Sequence, residues 1–114
     1  MSVTFQQVGG AVVVKPDGVL YEGCECDAME ARLLELVRRG AFVVVDLSEI
    51  RWLTAHCIGV LANGQHHAIT SGGSIALCGV NPLQRRLLAA MGLVEVLPHY
   101  ESAEGAVRSL SSAA

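Results

Sequence analysis

No stretch of this sequence approaches the roughly 20 apolar residues that a membrane span requires. Positive charge is not in excess either: 8 basic against 11 acidic side chains leave a net charge of −3 at neutral pH. A nucleic-acid module would need a basic patch or stripe, so that class is set aside. The chain opens with neither a basic segment nor an apolar signal core, which makes the cytoplasm the expected compartment and direct membrane insertion unexpected. Catalytic signatures are missing too. There is no G-x-S-x-G elbow and no H-E-x-x-H. Gly72-Gly73 stands between a predicted helix and a predicted strand, the reverse of the order a phosphate loop requires. No internal repeat and no linker is visible.

What is present suffices for one domain. The chain has 114 residues, 52% of them hydrophobic, which argues against disorder and supplies a core without staples. Its four cysteines are expected as reduced thiols. Cys57 and Cys78 lie in apolar surroundings and read as small core residues. Cys24-Glu25-Cys26 is a C-x-C pair with no second ligand pair at finger spacing, so no metal is assigned.

The periodicity gives the element order. Val3–Gln7 alternates like a strand, Gly9-Gly10 turns it, and Ala11–Lys15 returns. Pro16-Asp17-Gly18 bends the chain before Val19–Tyr21 resumes it. A helix follows from the Asp27/Glu30 capping pair to Arg39, with Met29, Leu33, Leu36 and Val37 on its apolar face. Ala41–Leu47 reads as a central strand buried on both faces. Ser48–Leu53 is a connection, and Thr54 caps a second helix bearing Ile58, Leu61, Ala62, Gln65 and Ile69. Ser74–Gly79 is a buried strand. Asn81-Pro82 starts a third helix, Val94–Leu97 is a short strand, and Ser102 starts a last helix. The expected architecture is α/β: one domain over residues 1–110 with order ββαβαβαβα, a mixed sheet opened by an N-terminal hairpin, and a frayed tail at 111–114.

Few residues converge in a way that would support chemistry. His56 and His66 share a helix face but stand about 15 Å apart, too far for one metal, while adjacent His66 and His67 point to different sides. Asp46, at a strand end, is expected to hold the backbone of the next loop. No cofactor and no catalytic residue is assigned, and a binding module is favoured over an enzyme. The place that invites function is the start of the second helix, at the C-terminal end of a central strand.

The segment from Val43-Val44-Val45-Asp46-Leu47-Ser48 through Thr54-Ala55-His56-Cys57-Ile58-Gly59 to Leu61 resembles the STAS domain family of bacterial anti-sigma factor antagonists. A second stretch agrees: Gly72-Gly73, a strand, Gly79-Val80-Asn81-Pro82, then Arg85, Leu87-Leu88 and Met91-Gly92-Leu93. The resemblance implies a STAS-like fold and a partner, an anti-sigma factor kinase of the ATPase-domain type, that phosphorylates a serine in an Asp-Ser-Ser-Gly motif. Here that motif reads Thr54-Ala55-His56-Cys57. Ala55 has no hydroxyl, so serine phosphorylation at the usual position is excluded. Thr54 is the remaining candidate phosphoacceptor, one position early. The expected partner-binding residues are Trp52, Leu53, Thr54, Ala55, His56 and Cys57, with Trp52 either a core lid or an interface anchor. Arg85 and Arg86 are either a solvated face or a contact for an acidic partner. The resulting reading is a non-catalytic interaction module for transcription signalling, with a homodimer among its assemblies. The alternatives are a STAS subunit of a lipid-transport ABC assembly and a small-ligand or thiol sensor using Cys57 or His56.

Overall fold

A computed structural model describes residues 3–16, 18–20, 24–53 and 55–113; the side chains of 18–20, 24–28, 51–53, 55 and 110–113 are not described. The hairpin is as expected: β1 (Val3–Val8) and β2 (Ala11–Pro16) pair antiparallel, with Val8 opposite Ala11 across Gly9-Gly10. Gly9 has φ +59, the left-handed conformation a tight two-residue turn demands at its first position. β3 (Gly18–Leu20) follows, then α1 (Cys24–Arg38). This helix begins at Cys24 rather than Asp27. β4 (Phe42–Asp46) is the central strand, and Val43, Val44 and Val45 are all fully buried.

Two strand assignments change. Residues 50–53 are not a plain connection but β5 (Ile50–Leu53), pairing in parallel with β3 in a separate two-stranded sheet. That pairing joins segments some thirty residues apart, so no local turn signal announces it. α2 (Ala55–Thr70), β6 (Ser74–Cys78) and α3 (Pro82–Ala90) come next. The apolar Val94–Leu97 is a turn, not a strand: the N–H groups of Val96 and Leu97 both donate back to the Leu93 carbonyl, at 3.1 and 2.9 Å. Leu97 is buried, which accounts for the apolar composition without a ladder. The edge strand lies later, as β7 (His99–Tyr100), and α4 (Ala103–Ala113) runs past residue 110 into the expected tail.

The main sheet has the order β1-β2-β4-β6-β7, parallel except for the hairpin. Strand alternation sends successive side chains to opposite faces. Val14, Val43, Val45, Ile75 and Leu77 face the larger core, with Met29, Leu33 and Val37 of α1, Ile58 and Leu61 of α2, and Leu88 of α3. Val44, Ala76 and Cys78 face the smaller one, with Ala106 of α4. Two buried glutamines tie the layers together. Gln65 donates from Nε2 to the Val96 carbonyl (3.0 Å) and accepts the Ile75 N–H (2.6 Å), while Gln84 donates to the Ile50 carbonyl (3.3 Å). Gln84 also completes a capping box with Asn81, whose Oδ1 accepts the Gln84 N–H at 2.8 Å.

Candidate functional site

Parallel strands present their C-terminal ends as the natural site of an α/β sheet. Here β4 ends in Asp46, whose Oδ1 accepts the N–H of Ser48 at 2.9 Å and so holds the turn toward β5, as expected. The β6–α3 corner comes so close that a Cβ on Gly79 would lie 2.8 Å from the Ser48 backbone N and 3.0 Å from Asp46 Oδ1. With φ +67 as well, that position accepts glycine alone without rearrangement. The turn delivers the chain to β5 and then to α2, whose first residue is Ala55.

The first turns of α2 divide cleanly. His56 and Gly59 are exposed, whereas Cys57 and Ile58 are completely buried. The exposed stripe continues at Asn63, His66 and Thr70, a spacing of three and four residues that keeps it on one side of the helix. Cys57 therefore leaves the set of surface residues: helical phase turns it into the larger core. This also takes it out of reach of the thiol-sensor reading. Trp52 and Leu53 lie in β5, opposite Val19 and Leu20, but their side chains fall outside the described residues, as does that of Ala55. Thr54 lies wholly outside them.

Gly59 stands in the motif stretch that carries the resemblance, with no role of its own assigned to it there. A Cβ built there would have no atom within 4 Å, so packing gives no reason for glycine. Glycine inside a helix costs roughly 0.5–1 kcal/mol against alanine. The signal lay in the sequence as a glycine between Ile58 and Val60, but only the helical phase shows that it faces outward.

The other candidates are dispersed. His66 and His67 do not diverge fully; their rings meet edge to face with centroids 5.9 Å apart. His99 is on β7, at the far edge of the sheet. Among the described residues no three His, Cys, Asp or Glu side chains group in a way that could hold a metal ion. Burial pushes the Cys78 thiol up to about 12, and the negative charge and hydrogen bonding of Asp46 add to the shift, so this thiol stays protonated. Arg85 and Arg86 are exposed on α3 and line a shallow groove with Val80, Pro82 and Ala89. No helix among the described residues is long and apolar enough to cross a membrane.

With this geometry in place, comparison with known proteins is informative. The family model described as "Mlab, STAS domain" matches residues 3–98. A curated relative, the anti-sigma F factor antagonist of Paenibacillus polymyxa, is 24% identical over 112 residues, covering 96% of this chain and 95% of its own. Among solved structures, a putative anti-sigma factor antagonist from Thermotoga maritima superposes with a TM-score of 0.85 at 18% identity, covering 96% of this chain and 94% of that one. An anti-sigma factor antagonist from Mycobacterium paratuberculosis gives 0.83 at 21% identity, with 96% and 93% covered. The hairpin, the parallel strands and the helix that starts at Ala55 are thus those of a known architecture, and the chain belongs to the STAS domain family, with an anti-sigma factor antagonist-like domain.

Proposed function

We propose that this domain is a non-catalytic binding module that docks a regulatory protein on the outer face of the start of α2, without serine phosphorylation at the usual position. The observation that carries this reading is the exposed Gly59 next to His56 on the first turns of the helix. A helix glycine that packing does not require leaves a flat strip on which a partner's backbone can lie close. The strip adjoins Ala55, the position that the family resemblance assigns to the phosphoacceptor. A phosphoserine there would add about −1.5 to −2 charge to the contact surface. Alanine removes that switch at this position. Trp52, Leu53 and Thr54 precede it in the chain and complete the proposed surface, with Thr54 as the remaining hydroxyl at the helix start. The partner is a regulatory protein of the sigma pathway, an ATPase-domain kinase by the same resemblance.

The test is capture of partners by tagged wild-type protein and by Ala55→Glu, which places a negative charge where a phosphate would sit, with the captured proteins identified by mass spectrometry. An ATPase-domain kinase held by the wild type and lost with the glutamate is the expected result. A permease or transport ATPase captured in its place would assign the module to a transport assembly. Equal capture of one partner by both proteins would remove the start of α2 as the docking face.

A further inference from the structure

The two edges of the main sheet are built differently. β7 is only two residues long and leaves almost no ladder to pair with. β1 is six residues long and, among the described residues, pairs on one side only, with β2. Proteins blunt such edges with charge, proline, bulges or brevity. Val3-Thr4-Phe5-Gln6-Gln7-Val8 has none of these: it contains no charged residue and no proline, and its register with β2 runs unbroken from Val3↔Pro16 to Val8↔Ala11. Its four central residues are exposed.

The hairpin fixes which backbone groups face outward. In a two-residue hairpin the closing pair, Val8 and Ala11, exchanges both hydrogen bonds, and the pattern alternates from there. Thr4, Gln6 and Val8 therefore spend their backbone groups on β2. Val3, Phe5 and Gln7 direct theirs to the open edge. The position of Pro16 agrees, since it lies opposite Val3 at a non-bonded pair where no N–H is needed.

We infer that β1 is a self-association edge, on which a second copy of this chain adds antiparallel with Phe5 opposite the partner's Phe5. Only residues of like phase can face each other, so a two-fold near the middle of the strand falls on Phe5 or on Gln6. Centring on Phe5 sets Val3 opposite the partner's Gln7 and uses the outward groups of Val3, Phe5 and Gln7 on both strands. Centring on Gln6 would spend Val3 on the glycine turn. The chosen register also sets Thr4 against the partner's Gln6, a polar pair on the opposite face. A two-fold brings each residue near its own copy, and an uncharged strand is the kind that meets no like-charge repulsion there. Phe5, already stacked under the Arg32 guanidinium at 5.3 Å, gains an aromatic neighbour. One strand edge is smaller than the roughly 800 Å² per partner of a standard interface, so the dimer is weak and concentration-dependent.

The experiment is sedimentation velocity over a concentration series, with site-directed cross-linking for the register. The wild type should shift from monomer to dimer as concentration rises. Gln7→Pro removes an outward N–H that β2 does not use, so it should abolish the shift while leaving circular dichroism and melting temperature unchanged. Phe5→Lys should also abolish the shift, by charge, with a lower melting temperature because it replaces the ring under Arg32 with a second cation. In a Cys24→Ser/Cys26→Ser background, Phe5→Cys should form a disulfide dimer on mild oxidation, because a bonded antiparallel pair has Cα atoms about 5.5 Å apart, within disulfide reach. Gln6→Cys should not. A wild type that is monomeric throughout, or a dimer that survives both edge variants, would overturn the inference. Cross-linking at Gln6 in place of Phe5 would overturn the register.

Discussion

Gly59 and Gly64 stand five residues apart on the same helix and meet opposite surroundings. A Cβ on Gly59 would enter open space, whereas one on Gly64 would lie 2.9 Å from Cδ1 of the fully buried Ile75. One glycine is explained by packing against β6, and the other is not. The contrast extends along α2: Cys57, Ile58, Leu61, Gln65 and Ala68 are buried beside Gly64, while His56, Asn63 and His66 are exposed beside Gly59. Packing is confined to one face of this element, and the proposed docking surface lies on the other.

That division can be broken most forcefully from the inside. Leu61→Ala deletes a fully buried side chain between helix and sheet. It should cost about 2–5 kcal/mol in chemical denaturation. A loss below about 1 kcal/mol, the scale of a surface change, would mean that the inner face does not carry the fold.

The inner face was also the part most legible from sequence. Met29, Leu33 and Val37 on α1, the apolar run of β4 and the Asn81-Pro82 start of α3 are local signals, and each element forms, though α1 starts three residues early and β4 is a residue shorter at each end. β5 was not legible because Ile50–Leu53 becomes a strand only by pairing with distant β3. Val94–Leu97 misled because a buried turn and a short strand need the same apolar residues. At the site, the sequence located the start of α2 and most of its inner face, Ile58, Leu61 and Gln65, while Ile69, expected on that face, is exposed. Cys57 carries two readings in the sequence, a small core residue and a member of the docking surface, and its burial keeps only the first; Gly59 stands in the motif stretch, but its outward direction is visible only in the helix.

The two glycines offer a sharper comparison through a single substitution made twice. Gly64→Ala gains helix propensity but presses a methyl into Ile75, where the surrounding core leaves little room to move. The overpacking should prevail, for a net loss of about 1 kcal/mol. Gly59→Ala meets no such obstacle and should stabilise the protein by about 0.5–1 kcal/mol, read as a higher denaturation midpoint. The same variant should weaken capture of the partner. A gain in stability with binding intact would leave Gly59 without a role in docking, and the same sign of stability change at both positions would erase the difference between the faces.

The Gly9-Gly10 turn has a consequence in time as well as in shape. Among the described residues, β1 and β2 are the only neighbours in the main sheet joined by a two-residue loop, so their pairing can form within about 1–10 μs. β2 must wait for β4, whose pairing closes only after α1 has crossed over the sheet. During that interval the young hairpin offers two open edges, and completion of the sheet covers just one. A neighbouring nascent chain that took the β2 edge would block β4, whereas one that took the β1 edge would leave the rest of the sheet free to form.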